Sequence, residues 1–225
     1  MSQIGKKALH RSTRRDIRGS LGRFFAIFAI IALGVGFFSG VRITTPAMVH
    51  TFDELLKEKN FFDYRLVSTL GWEDQDVEAV KKETGVKEAE GGMQQDIICL
   101  AADGSEEVYK AHLLPEKINL LITIEGRLPE NADEVVLDNR HRSGYKLGDT
   151  LTFSTTNPVG NREKFTRDSF TIVGFVDSSY YINFERGTTS LGNGQVAGFM
   201  YITKEAFEDE IYTELFVDME AEGEI

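Results

Sequence analysis

At 225 residues, 41% hydrophobic and 27% charged with only four prolines, the chain is long enough for one good core or two small subdomains and too apolar for a disordered polymer. A net charge of −11 excludes a nucleic-acid-binding surface over most of its length, and a single cysteine, Cys99, excludes an internal disulfide. The charge is unevenly spread: residues 1–23 hold seven Lys and Arg against Asp16, a net of +6, which leaves −17 for the remainder.

Directly after that basic segment, residues 24–41 (FFAIFAIIALGVGFFSGV) contain no charge. As a helix this run is about 27 Å long, close to the ~30 Å hydrocarbon core of a bilayer, and Arg23 and Arg42 can snorkel at its ends. It reads as a transmembrane helix. Basic residues beside a span stay on the cytoplasmic side, so the N-terminus is expected inside and the acidic remainder outside. A cleavable secretory signal is the competing reading, but its apolar core is usually shorter and an A-x-A-like site follows it. A buried core helix is a further alternative, and it leaves the basic flank unexplained. Within the run, Gly36 and Gly40 fall on one helical face as candidates for close packing against another membrane helix. Residues 1–23 read as a cytoplasmic segment, amphipathic near its end, where Ile17, Leu21, Phe24 and Phe28 recur at helical spacing.

Residues 42–63 read as a stalk helix that extends the span past Pro46, with Phe52, Leu55 and Leu56 on one face. Residues 64–68 alternate as a strand. Residues 74–84 read as a short helix with acids first, Lys81 and Lys82 last and Gly85 as its stop. Residues 96–101 and 106–113 bracket Ala-Asp-Gly-Ser, a hairpin signal, and Cys99 in Ile-Ile-Cys-Leu reads as a buried hydrophobe. His112, alternating with Lys110, is expected to be an exposed sheet residue. Residues 118–124 form another apolar run. Short strands then follow at 134–137, 150–154, 169–175 and 198–202, divided by turn residues and by the glycine-rich stretch 187–194, as in a small barrel or sandwich. A last helix is expected from the Thr203 cap, then a strand at 214–217. The fold class is α+β behind one N-terminal transmembrane helix.

The basic start with RDIRGSLGRFFAIFAIIALGVGFFSG, followed in order by EGRLPENADEVVLDNR, YKLGDTLTF, FTIVGFVD and GFMYITKEAF, resembles the permease subunits of FtsX/MacB-type ABC transporters. The resemblance runs from about Arg15 to Val217. It implies an extracytoplasmic core domain with a mixed porter-like α/β subdomain at 64–125 and 199–217, interrupted by an inserted small β-rich subdomain at 126–198. Residues 218–225 form an acidic tail. It further implies a mechanical function: a cytoplasmic ABC ATPase subunit hydrolyses ATP, and movement passes through the membrane helices to the outer domain for export or mechanotransmission. The implied partners are that ATPase, a second permease copy or homologue and the lipid bilayer of a bacterial cytoplasmic membrane. Family members carry further spans after this domain; none occurs here, so a truncated product is expected. The alternative is a single-span membrane-anchored extracytoplasmic binding or scaffold module.

Catalysis has little to stand on in the residues. His10, His50, His112 and His141 are scattered, with no H-E-x-x-H and no paired cysteines. The stretch 187–192 has the glycine spacing of half a P-loop, but Asn193 stands where the lysine belongs. Glu73, Asp74 and Asp76 fit a helix start better than a calcium loop. No catalytic residue, cofactor, metal or nucleic-acid partner is therefore expected, and an exported enzyme with an unrecognised site is the third reading. Tyr180, Tyr181, Phe184 and Arg186 are candidates for contact with an extracytoplasmic protein partner, because aromatics and arginine favour interfaces.

Overall fold

The computed structural model describes residues 20–101 and 103–220. His10, nearly all of the basic segment and the end of the acidic tail lie outside the described residues. Two units are present, divided at Leu55 and Leu56.

Among the described residues, the first holds most of one 38-residue helix, α1 (Leu21–Glu58), about 57 Å long at the usual rise. The span and the stalk are thus a single element. Pro46 lies inside it and takes one donor from the ladder, while the Thr44 hydroxyl returns to the Gly40 carbonyl at 2.8 Å. No residue of α1 is buried, and it is the one helix among the described residues apolar and long enough to cross a membrane.

The second unit is α+β. A three-stranded antiparallel sheet has the order β1 (Tyr64–Trp72), β10 (Tyr212–Met219), β2 (Val86–Gly92). Its last strand by sequence is the central one. Helix α2 (Asp74–Val80) starts where the Asp76 carboxylate accepts the Glu73 amide at 2.9 Å, and its Val77 is buried in the same core cluster as Ala89, Leu215 and Val217. Gly85 ends the turn after it with φ +84, the left-handed conformation expected of a stop.

The larger sheet runs β5 (Ile122–Gly126), β8 (Ser169–Asp177), β6 (Glu134–Asp138), β9 (Gly198–Ile202), β4 (Glu106–Leu113), β3 (Gln94–Leu100), β7 (Thr150–Phe153). Because β7 also pairs with β8, six of these strands close on themselves as a barrel, and β5 extends along the rest of the β8 edge. Closure removes sheet edges. The expected hairpin is formed by β3 and β4, with Leu100 opposite Glu106, and Cys99 is fully buried, which pushes its thiol pKa up. Strands β6 and β9 are buried at every residue, in keeping with the apolar runs 135–137 and 199–202 and their central position.

Two sequence expectations differ from this picture. The parallel pairing of β4 with β9 puts 94–113 and 198–202 in one sheet with the strands between them, so the division expected near 126 and 198 runs through a single sheet; by pairing, the smaller unit is 64–92 with 212–219. Parallel partners far apart in sequence leave no local trace in the alternation pattern. The helix expected after Thr203 is a single 3-10 turn, Lys204–Ala206, because Phe207 is extended and pairs with Phe165.

Candidate functional site

The candidate contact residues lie on the segment that leaves β8. Ser178 starts a 3-10 turn, Ser179–Tyr181, by accepting the Tyr180 amide, and its hydroxyl also meets the Tyr201 hydroxyl at 2.9 Å. The turn directs both tyrosines inward. The Tyr181 ring stacks on Phe199, with centroids 4.5 Å apart and planes 11° apart, and its hydroxyl is 2.5 Å from Nε2 of His112. Tyr180 meets Phe62 and Phe216, each at 6.0 Å, and His112 at 5.7 Å. These rings join the barrel to the three-stranded sheet.

His112 is therefore buried, only 5% exposed, and the exposed position expected for it is corrected. Alternation with Lys110 gave no hint, because what covers this face comes from β9 and from the turn after β8. Burial, with Lys110 and Arg65 nearby, pushes its pKa down to about 3, so the ring is neutral. On the same seam, Arg65 donates from Nε to Glu214 at 2.5 Å and lies over the Tyr180 ring. Glu214 is 1% exposed and its Oε1 has no partner; burial pushes this carboxyl up, against the pull of Arg65. The space beside Glu214, His112 and Tyr201 is about 20 Å³. A single water fills that volume, so the seam is packing and not a substrate pocket.

Arg186 is likewise committed internally. Its Nε and Nη2 bind the fully buried Asp138 at 2.6 and 3.1 Å, and Nη1 donates to the carbonyls of Tyr181 and Asn183. The guanidinium also lies over Phe199, 5.2 Å from its centroid. One side chain thus fastens the segment to the end of β6. Asp138 was missed from sequence, although an acid that closes the apolar run Val-Val-Leu is a signal of a buried cation partner.

Of the four candidates, Phe184 alone is well exposed, at 80%, with Ile182 exposed beside it. Arg140 stacks on the Phe184 ring at 3.9 Å and donates to its carbonyl at 2.5 Å. The structure thus separates the candidates into internal anchors (Tyr180, Tyr181, Arg186) and an apolar tip at 182–184.

A cleft of about 610 Å³ opens between the start of β4 and residues 192–197. Its two carboxylates are already engaged: Glu106 takes the Ser154 and Thr156 hydroxyls, and Glu107 takes the Tyr109 hydroxyl. Glu73, Asp74 and Asp76 serve the start of α2 and the contact with Tyr212, and among the described residues no three ligating side chains are gathered for a metal. On α1, a side chain placed at Gly36 or Gly40 meets nothing within 4 Å, which leaves that face open.

The sequence matches no protein-family model and no curated protein. Among solved structures, the chain is similar to the extracellular domain of the noncanonic ABC-type transporter YknZ from Gram-positive bacteria, with TM-score 0.44 and 13% identity over 72% of this chain and 82% of that one. It is also similar to the periplasmic region of MacB from Actinobacillus actinomycetemcomitans, with TM-score 0.38 and 11% identity over 70% of this chain and 67% of that one.

Proposed function

We propose that this chain belongs to a permease subunit of an FtsX/MacB-type ABC transporter in a bacterial cytoplasmic membrane, with the N-terminus inside and the acidic domain outside. The observation that carries the reading is α1. Eleven large apolar side chains between residues 24 and 41 are all exposed, and burial of each in hydrocarbon is worth about 1.5–3 kcal/mol, so no aqueous setting suits this helix. The +6 segment ahead of it supports the orientation. The order of motifs shared with the family supports the class, and in that class a separate cytoplasmic ATPase does the chemistry while this subunit is moved. The Gly36 and Gly40 face is the seam for a further membrane helix, in this subunit or a second copy. In the outer domain, β1, α2, β2 and β10 form the porter-like part, and the tip at 182–184 meets an extracytoplasmic protein.

Purification of the tagged full-length chain from native membranes in mild detergent tests the reading. An ABC ATPase should co-purify in stoichiometric amount; its consistent absence overturns the permease assignment and favours a single-span anchored module. Orientation is tested with Leu70→Cys, because Leu70 is 91% exposed whereas Cys99 is fully buried. A membrane-impermeant maleimide should label intact cells, and labelling only after lysis overturns the outward placement.

A further inference from the structure

Two asparagines, Asn60 and Asn119, are the described non-glycine residues with positive φ, +49 and +60, a conformation that asparagine tolerates better than other side chains. They face each other across one set of hydrogen bonds. The Asn119 amide donates to the Asn60 carbonyl and the Leu120 amide to the Lys59 carbonyl, both at 2.9 Å. In return, Asn60 Nδ2 donates to the Lys117 carbonyl at 3.0 Å, and the Phe62 amide reaches Asn119 Oδ1 at 3.4 Å. The other side of the same segment is held by Glu90 of β2. Its carboxylate accepts three successive amides, those of Glu116, Lys117 and Ile118, at 2.6, 3.0 and 2.6 Å. Ile118 is 1% exposed and fixes the segment in the core, and Leu120 leads within two residues into β5.

We propose that residues 116–120 act as a strap that binds the turn 59–62 and strand β2 into one body, so that displacement of the chain at Lys59 reaches β2 and β5 directly, alongside the covalent route into β1. The strap is built for load. Every backbone amide from 116 to 120 has a named acceptor, and three of those five bonds are charge-assisted, roughly twice as strong as neutral ones. Without it, a pull on the chain would enter the domain through the ring contacts of Phe62 and through β1, an edge strand that could be peeled from β10 one bond at a time. The strap spreads that pull over both sheets.

The purpose assigned to the strap rests on the proposed function, but hydrogen exchange reads the linkage itself, whether or not an ATPase drives it; co-purification tests the other. Exchange measured by mass spectrometry on the detergent-solubilised full chain should show peptides covering 59–62 and 116–120 protected together. Glu90→Ala should speed exchange in both peptides by about tenfold or more while β6 and β8 keep their protection. Asn119→Gly retains the backbone conformation but removes Oδ1, and should speed the 59–62 peptide while leaving the Glu90 bonds to 116–118 in place. The proposal is overturned if the wild-type strap exchanges freely, or if Glu90→Ala loosens 116–120 and leaves 59–62 unchanged. Should Glu90→Ala also strip β6 and β8, Asn119→Gly decides alone: faster exchange at 59–62 upholds the strap, and unchanged exchange overturns it.

Discussion

The neutral, buried His112 makes the stability of the outer domain depend on pH in a calculable way. In the unfolded chain its ring titrates near 6.5, and in the folded protein burial beside Lys110 and Arg65 pushes the pKa down to about 3. Between these values the unfolded state binds one proton more than the folded state, so this residue's contribution is present above 6.5 and is lost as pH falls toward the folded value, at about 1.4 kcal/mol per pH unit. From pH 7.5 to pH 5 the loss is about 2 kcal/mol. His112→Phe keeps a ring of similar size against Tyr201 but cannot titrate, and it leaves the Tyr181 hydroxyl without its partner at a cost of about 1–3 kcal/mol that pH does not change. Urea unfolding of the detergent-solubilised full chain, followed by fluorescence of the single tryptophan, Trp72, measures both proteins. At pH 7.5 the variant should be less stable. By pH 5 the gap should have shrunk by about 2 kcal/mol, because groups common to both proteins cancel in the difference. A gap that is constant from pH 7.5 to 5 would refute a buried neutral histidine.

Further outcomes follow from other side chains. Arg186→Ala leaves Asp138 buried and unpaired and should cost about 3–5 kcal/mol in the same urea assay, with Arg186→Lys rescuing little because it cannot hold both carboxylate oxygens and two carbonyls at once. Phe184→Ala at the exposed tip should change stability by less than about 0.5 kcal/mol yet weaken recovery of any extracytoplasmic partner in pull-down. Replacement of Gly36 and Gly40 by leucine should reduce co-purification of other membrane subunits; unchanged recovery would remove the packing seam. Gly174→Ala should destabilise the barrel by more than about 2 kcal/mol, because its Cβ would collide with the Arg127 carbonyl where β8 bulges against β6.

Local signals carried much of the fold. The uncharged run at 24–41, the acids before Asp76 and the Ala-Asp-Gly-Ser turn each report a feature decided within a few residues, and α1, the start of α2 and the hairpin stand where those signals put them, although α2 ends at Val80 and not at the expected residue 84. Long-range pairing was not legible. Nothing in Gly198–Ile202 announces that it lies parallel to β4, and so the burial of His112 and the unity of the larger sheet could not be read. The aromatic cluster was visible as a composition bias, but chemistry alone could not divide it. Arg186 and Phe184 are equally plausible contacts in a string of letters, and only the buried Asp138 shows that one is an internal bolt.

The order β1-β10-β2 sets a timetable for the newly made protein. Arg65 finds its partner Phe216 about 150 positions later, and β2 waits for the same strand. At about 5–20 residues per second, β1 and β2 stay unpaired for on the order of 10–30 s as the chain emerges, with two adhesive borders open to neighbours. A ribosome that stalls before codon 212 would therefore release a product whose barrel strands are all present but whose smaller sheet has lost its keystone, a ready target for quality-control proteases.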